Sequence, residues 1–336
     1  MDVIELDSEQ FDKEATELGV YLPLEQTDPW YRYQATVEGR SPWAALRFDR
    51  DGSPVAFVRL TAYAMSKYHF LRAAHGPVWV GERNDEDEAE LLDTLRAFVK
   101  ERDHDQVFVR LAVAGEHDSC RKCFSSLPYD RTVVIDVTGG DEEILSRMKP
   151  RGRRDVRKSL REAPVECADE TERATESFSE YYEIMVDTAK RDGFVPAPES
   201  DYQDMIRVLG PEHCRVYAGR TPEGVVDTWS IVTIQGNRAT RYYAASRSES
   251  MRMHVTDKLV YFECCDLGAF NDGQVSEYDL MGVGSDFAPE LMGLNEFKTK
   301  FTKSEPAEVA PDRDLPVKSI AYKALATAYG LAKHGN

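Results

Sequence analysis

Apolar and polar residues recur along this chain at two periods, which predict its strands and helices. Residues 43–49 and 55–63 are strand-like runs joined by Asp51-Gly52, a dipeptide typical of a tight hairpin. Residues 84–102 carry apolar side chains at helical spacing, and 106–113 return to a strand pattern. The first part of the chain is therefore predicted to be a mixed α/β structure.

The second half repeats this inventory. Its pattern predicts, in order, a strand at 132–137, helices at 173–190 and 200–209, strands at 213–219, 225–234 and 239–245, a helix at 254–268 and a strand at 276–280. This order matches that of an N-acyltransferase (GNAT-like) domain, which has helices, a three-strand meander, one more helix and a last strand. We therefore predict the α/β class, with two tandem GNAT-like domains related by fold rather than by sequence.

The predicted domains divide the chain near residues 140–150. Residues 1–145 plus 317–336 form the first, since the apolar stripe of a C-terminal helix at 317–333 is expected to pack back on it, and 146–316 form the second. A length of 336 residues suits two domains. No run of about 18 apolar residues encodes a membrane span. The acidic N-terminus lacks a secretory signal, so cytoplasmic residence is expected, with access to the inner face of the plasma membrane.

The charge of the chain is unevenly distributed. A formal net charge of −18 argues against general coating of nucleic acid, because phosphate contacts need a positive surface. Yet eight arginines and lysines fall between Arg147 and Arg161. Such a cluster suits one anionic partner, although a solvated helix face explains it equally well.

A candidate for oxyanion chemistry lies near the C-terminus. Lys298 follows Phe297 on a short predicted helix, downstream of a strand that contains Asp279 and stops at Gly282. A cation beside an aromatic, near a glycine loop, suits the stabilisation of an anion. The alternative is a surface helix in which Phe297 and Phe301 face the core and the lysines are solvated. Cys120 and Cys123 form a lone CxxC without a second ligand pair, so no metal site is predicted.

Seven short segments, in order along the chain, resemble one known family. They are Gln26-Thr27-Asp28-Pro29-Trp30, His75-Gly76-Pro77-Val78, the basic stretch Lys149 to Lys158, Thr188 to Phe194, Arg241 to Ser246, Tyr278 to Gly282, and Phe297-Lys298-Thr299-Lys300-Phe301. Together they resemble the FemABX family of peptidyltransferases, which move an amino acid from aminoacyl-tRNA onto the stem peptide of a peptidoglycan precursor. No long charged heptad insert is present, so the chain resembles a compact form without a coiled-coil arm.

The resemblance implies an acyltransferase with these roles. Lys298 stabilises the oxyanion, Phe297 orients Lys298, and Asp279 is a candidate base that is as easily structural. The implied precursor-binding residues are Arg191, Thr188, Tyr243, Arg241, Trp30 and Arg32, and the implied tRNA-binding residues are Lys149, Arg151, Arg153, Arg154, Arg157 and Lys158. Arg241 and Tyr243 alternate along a strand and are expected to share one face. The expected protein is a monomer that needs no cofactor.

Other readings stay open on the sequence alone. Gln34 stands where the family commonly has a lysine that binds precursor phosphates. The acceptor can therefore be UDP-MurNAc-pentapeptide or lipid II, and the transferred amino acid is not specified. One alternative is a coenzyme-A-dependent N-acyltransferase, although Gly282-Val283-Gly284 lacks the Gln or Arg that would open a pyrophosphate loop. Another is a non-catalytic scaffold of wall synthesis.

Overall fold

The chain folds into two compact units in a computed structural model that describes residues 1–334. Unit 1 comprises Met1–Asp130 together with the C-terminal segment from Val309, and unit 2 comprises Arg131–Glu308. Each unit contains its own sheet and its own buried core. None of the helices in the described part of the chain has the length and hydropathy that a membrane crossing requires.

Unit 1 begins with a meander and is completed by the C-terminus. Its elements are β1 (Asp2–Leu6), α1 (Ser8–Glu17), α2 (Asp28–Gln34), β2 (Arg40–Arg50), β3 (Ser53–Met65), β4 (Tyr68–Ala73), β5 (Val78–Trp79), α3 (Asp85–Arg102), β6 (Gln106–Ala112), β7 (Arg121–Lys122), and, after unit 2, β15 (Asp312–Pro316) and α11 (Ser319–His334). The strand order is β1-β2-β3-β4-β6-β15-β7, with β5 beside β3. The pairs are antiparallel except β4–β6, which are parallel because α3 connects them.

Unit 2 repeats this plan. Its elements are β8 (Arg131–Asp136), α4 (Asp141–Arg147), α5 (Pro150–Glu162), β9 (Glu166–Asp169), α6 (Thr171–Glu176), α7 (Ser179–Asp192), α8 (Glu199–His213), β10 (Cys214–Arg220), β11 (Val226–Gln235), β12 (Arg238–Ser246), α9 (Val255–Ala269), β13 (Glu277–Gly282), α10 (Asn295–Lys298) and β14 (Ala307–Glu308). The strand order is β14-β8-β13-β12-β11-β10-β9, and the parallel pair is β12–β13, connected by α9. The predicted duplication of fold is confirmed: each unit is a meander, a helix and a parallel strand.

The unit boundaries differ from the predicted ones because of strand pairing. β8, assigned from sequence to the first domain, pairs with β13 and β14 in the sheet of unit 2. β15, assigned to the second, pairs with β6 in unit 1. The chain therefore passes from unit 1 to unit 2 between Asp130 and Arg131, and back to unit 1 between Glu308 and Val309. Both points lie earlier in the sequence than predicted. The C-terminal helix α11 packs in unit 1 as expected, where Tyr322 stacks edge-on against Phe108 at 5.5 Å.

The helix predicted at 173–190 is two helices. The chain becomes extended at Ser177, which ends α6. Phe178 is the N-cap residue of α7, and its ring is fully buried. That ring lies 5.0 Å from Trp229 of β11. Burying a large apolar side chain stabilises the fold by about 1.5–3 kcal/mol. This gain in free energy exceeds the cost of interrupting the helix at Ser177.

Candidate active site

A cavity of about 210 Å³ opens in unit 2 where two parallel strands separate. β12 and β13 pair only at Arg238–Glu277, Ala239–Tyr278 and Thr240–Asp279. Beyond these pairs the strands diverge, and the cavity lies between them; we call it the wedge cavity. It is lined by Arg241, Tyr242 and Ala244 of β12, Leu280 and Met281 of β13, and Phe297 and Lys298. These described lining residues include two cations and no carboxylate.

The backbone of β13 bends sharply at this point. Met281 has a φ of +64°, in the left-handed region that non-glycine residues seldom adopt. The pairing of β13 with β8 shifts register between Asp279 and Gly282, and the Asp279 carboxylate accepts the Met281 N–H at 2.7 Å. This conformation costs of order 1–3 kcal/mol and is held by the surrounding contacts. As a result the Gly282 carbonyl faces Lys298.

Lys298 is a largely buried ammonium with one hydrogen bond in the described structure. Its Nζ donates to the Gly282 carbonyl oxygen at 2.8 Å. Burial lowers the pKa of Lys298 to about 8, the nearby Arg241 lowers it too, and Asp279 acts in the opposite direction. The group is thus cationic at neutral pH yet keeps two N–H donors for a ligand.

The neighbouring lysine, Lys300, has a different environment. It forms an ion pair with Asp257 of α9, and its Nζ lies 3.5 Å from Asp155 of α5. The same ammonium lies 4.9 Å from the centre of the Phe297 ring. Phe301 is fully buried and meets Phe297 edge-on at 5.3 Å. The alternative in which both lysines are solvated is therefore not the arrangement in the structure.

A cluster of carboxylates and imidazole surrounds Lys300. Atoms of Asp155, His254 and Asp257 lie within 4.8 Å of one another, close enough to share a metal ion. However, the Lys300 ammonium contacts both carboxylates of this cluster. Arg151 and Arg154 each lie 3.6 Å from Asp155 as well. These cations offset the two carboxylates, so the donor set is that of an ion-pair network.

Asp279 is fully engaged within unit 2. One carboxylate oxygen accepts hydrogen bonds from Thr132 and from the Met281 N–H, and the other accepts from Arg238 at 2.6 Å. A general base needs a lone pair directed at the proton that it removes. The hydrogen bonds of Asp279 favour the structural of its two predicted roles.

Arg241 and Tyr243 do not share a face, contrary to expectation. Ile231 pairs with Tyr243 whereas Val232 pairs with Arg241, so Tyr242 is an extra residue in a β-bulge. Arg241 consequently faces α9, where its Nε donates to Glu263 at 3.1 Å. Tyr243 faces α8 on the other side, 4.9 Å from the ring of Tyr202.

Arg191 and Thr188 lie at the end of β12. The Arg191 Nη1 donates to the Ser246 carbonyl at 2.9 Å, and its Nε and Nη2 hold Asp192. Thr188 exchanges hydrogen bonds with the backbone of Ser246. These two predicted precursor-binding residues thus come together, and Arg191 is exposed. Trp30 is buried and Arg32 exposed, and both lie in unit 1.

The basic residues of α5 form one exposed face. Gly152, Asp155, Val156 and Ser159 are the buried side of the helix. The opposite side, which we call the basic face, consists of Arg151, Arg154, Arg157, Lys158 and Arg161, all exposed. Arg153 instead donates to the Met148 carbonyl at 2.6 Å, and Lys149 is the N-cap residue of α5. The basic face begins beside Lys300, whose carbonyl accepts the Lys149 N–H at 3.1 Å.

Glu263 and Lys300 were not found from the sequence as site residues. Glu263 has no exposed side-chain surface and accepts hydrogen bonds from Ser230, Arg241 and Tyr278. The sequence does contain a pattern that indicates burial of Glu263. This residue lies four positions from both Leu259 and Leu267, inside the apolar stripe of α9. A carboxylate at such a position needs a buried partner.

Several solved structures share this fold over nearly the whole chain. A crystal structure of FemX matches with a TM-score of 0.70 at 15% identity, covering 97% of this chain and 100% of that one. A tandem GNAT protein from the clavulanic acid biosynthesis pathway gives 0.59 at 12%, covering 94% and 98%. L-PGS from Bacillus licheniformis gives 0.54 at 11%, covering 97% and 98%. No protein-family model matches the sequence, and no curated protein does.

These identities are low, so the likeness bears on the fold and the activity must be argued from the site. The α/β class with two GNAT-like units, predicted from the order of elements, is confirmed by the two sheets and by the matches. The resemblance to the FemABX family, stated from the sequence segments, is likewise supported at the level of the fold. The chain has the fold of FemX, built from two tandem GNAT-like units.

Proposed function

We propose that this protein is an aminoacyltransferase that moves an amino acid from aminoacyl-tRNA to an amine on the stem peptide of a peptidoglycan precursor. The observation that carries the proposal is the largely buried ammonium of Lys298 in the wedge cavity, which donates to the Gly282 carbonyl and forms no ion pair with any described residue. The FemX fold and the ordered sequence segments support it. Such a protein would work in the cytoplasm, at the inner face of the plasma membrane if its acceptor is lipid-linked.

The reaction requires little chemistry from the protein. The acceptor amine attacks the ester carbonyl, a C–N bond forms, and the oxygen becomes an oxyanion. The C–O bond to the tRNA ribose then breaks, and the proton lost by the amine ends on the released hydroxyl. The protein has to align two substrates and stabilise the oxyanion.

Lys298 is the proposed oxyanion donor. With a pKa of about 8 it carries its proton at pH 7, and the low-polarity surroundings strengthen its interaction with a developing negative charge. One such donor is worth about 3–4 kcal/mol. Phe297 lines the same cavity and limits the positions of the lysine chain. Since Asp279 is engaged with Arg238, the proton is proposed to move between the substrates themselves.

The basic face of α5 is the proposed seat of the tRNA backbone. Five cations on one side of a helix suit a row of phosphates, in a chain whose overall charge would otherwise repel RNA. Arg151 already pairs with Glu296, so its contribution requires exchange of that partner. Lys149 and Arg153 act through the backbone at the start of the helix.

Arg191, Thr188 and Tyr243 of unit 2 are proposed to contact the acceptor. For Trp30 and Arg32, which lie in unit 1, precursor binding stays a prediction from the sequence. A guanidinium gives bidentate contacts to phosphate or carboxylate. A ligand of Arg191 would have to replace Asp192, which now occupies two of its nitrogens. Replacing Arg191 should therefore weaken the apparent affinity for the precursor and leave the affinity for tRNA unchanged.

A coenzyme-A-dependent N-acyltransferase is the second candidate, favoured by the match to a tandem GNAT protein. The segment between β12 and α9, residues 247–254, contains no glycine that would let a pyrophosphate approach the backbone. The first turn of α9 also holds Asp257, a buried carboxylate. Calorimetric titration with acetyl-coenzyme A tests this candidate directly, and saturable binding would favour it.

The decisive experiment supplies a mixture of charged tRNAs with UDP-MurNAc-pentapeptide or lipid II and detects the product by mass. We expect one mass increase that matches a single amino acid. Lys298→Ala should reduce kcat by about 100-fold or more, as expected for an oxyanion donor. Lys303→Ala, at an exposed lysine of the same segment, is the control and should behave as wild type. Absence of product with every charged tRNA would refute the proposal.

A further inference from the structure

The wedge cavity contains a second cation, Arg241, whose position is fixed by an ion pair with the buried Glu263. The Arg241 side chain is only 10% exposed, and its partner Glu263 is 0% exposed. Arg241 lines the cavity together with Lys298. Its Nη2 is buried and has no hydrogen-bond partner among the described residues. A buried donor without a partner costs about 1–3 kcal/mol, a cost that an anionic ligand would remove.

Glu263 is built into a closed network. It accepts from Ser230 of β11, from Arg241 of β12 and from the Tyr278 hydroxyl of β13. Three strands thus direct hydrogen bonds at one carboxylate on α9. Burial alone would lower the pKa of Arg241, but Glu263 and Tyr278 outweigh it and raise that pKa. The guanidinium therefore stays charged inside the fold.

We propose that Arg241 and Lys298 together form a two-cation site for one anionic oxygen group, with Glu263 as the positioning residue that holds Arg241. The inference rests on the proposed function in naming the ligand, the oxyanion of the tetrahedral intermediate. Two donors from different elements, Arg241 from β12 and Lys298 from α10, define the direction in which the carbonyl oxygen must point. Glu263 touches no substrate and acts only through Arg241.

Other charges near Lys298 are already paired. The ionisable groups that share its cavity or act on its charge are Arg241 and Tyr242 from β12 and Asp279 from β13. Glu296 and Lys300 lie two residues from it on its own segment. Asp279 is held by Arg238, Glu296 by Arg151, and Lys300 by Asp257. Of the two charged groups that act on the pKa of Lys298, Arg241 has the larger effect and Asp279 the smaller.

The first test measures protonation without turnover. Protein labelled with ¹³C-lysine is titrated by NMR, and the Lys298 signal is assigned by its loss in Lys298→Arg. Arg241→Met should raise the pKa of Lys298, because a like charge is removed. Glu263→Gln should lower it, because Arg241 is then uncompensated. Glu277→Gln, at a half-exposed glutamate of β13, is the matched control and should leave it unchanged.

A variant with one unpaired buried charge can fail to fold, so the double variant Arg241→Met/Glu263→Gln is measured as well. It leaves no unpaired charge, and the pKa of Lys298 should again rise. If the pKa of Lys298 is the same in the double variant and in wild type, the two cations do not share a site and the inference is overturned.

The second test uses kinetics. Arg241→Met should lower kcat by about 100-fold, as expected for loss of one oxyanion donor, with KM for tRNA unchanged. Glu263→Gln should lower kcat and shift the alkaline limb of the pH–rate profile to lower pH, which a merely structural role would not do. If Arg241→Met forms product with the kcat of wild type, the inference about Arg241 is refuted and the proposed function is not affected. The expected pKa shifts without product from any charged tRNA would instead sink the proposed function.

Discussion

Burial of the Lys298 ammonium has a measurable thermodynamic consequence. The pKa of this group is lowered from 10.5 to about 8 in the folded protein, chiefly by burial. One pKa unit corresponds to about 1.36 kcal/mol, so keeping the proton on Lys298 costs the fold about 3 kcal/mol at pH 7. Lys298→Met keeps the length of the side chain and removes the charge.

The sign of the pH dependence follows from proton binding. Between pH 8 and 10.5 the unfolded chain binds more protons at this lysine than the folded chain, so wild-type stability rises with pH in that window. The cost is complete below pH 8 and absent above 10.5. Applying this linkage at pH 9.5 leaves a cost of about 1.4 kcal/mol.

The assay compares two variants at two pH values. The free energy of unfolding is measured with urea for wild type and Lys298→Met at pH 7 and pH 9.5. Titrating groups that do not interact with Lys298 contribute equally to both proteins at each pH and cancel in the comparison. By this linkage, wild type should gain about 2 kcal/mol relative to Lys298→Met on going to pH 9.5.

Lys303→Met provides the baseline, since Lys303 is exposed and should show no relative gain. If wild type and Lys298→Met keep a constant difference across these pH values, the Lys298 ammonium is hydrated in solution. Both the buried oxyanion site and the inference about Arg241 would then lose their physical basis.

Three further predictions follow from the same geometry. The kcat of the transfer reaction should fall as pH rises through about 8, where Lys298 loses its proton, and a rise there would show that the neutral amine acts as a base. Gly152→Ala should lower the melting temperature, because its Cβ would lie 2.1 Å from the Lys300 carbonyl, whereas Gly293→Ala meets nothing within 4 Å and should be neutral. Arg157→Ala should reduce the salt dependence of tRNA binding by about one phosphate contact, as seen in filter binding across ionic strengths, and an unchanged slope would remove α5 from the interface.

Local patterns in the sequence predicted most of the fold. The helix pattern at 84–102 corresponds to α3, and the meander at 213–245 corresponds to β10, β11 and β12 within a few residues. These elements are long and strongly periodic, so their apolar positions alone indicate which face is buried. The predicted 200–209 helix corresponds to the part of α8 before a kink at Gly210, where φ is +65°. The structure continues α8 beyond this kink to His213.

The chemistry of the site was only partly accessible in this way. The sequence singled out Lys298 and Phe297, and the structure brings both to one cavity with Arg241. It could not show that Arg241 and Tyr243 lie on opposite faces, because one bulge residue inverts the alternation of a strand. Nor could it separate Lys298, which makes one hydrogen bond among the described residues, from Lys300, which forms ion pairs with carboxylates of two other helices.

The sequence by itself thus determined the kind and order of the elements, the duplicated plan and the residue types available for anion chemistry, because these depend on neighbours close along the chain. Only the tertiary structure decided where β12 and β13 separate, which strand belongs to which unit, and which buried charges have partners. Those properties depend on contacts between residues far apart in sequence. The Glu263–Arg241 pair, Tyr278 and the Gly282 carbonyl meet only once the sheet of unit 2 has formed.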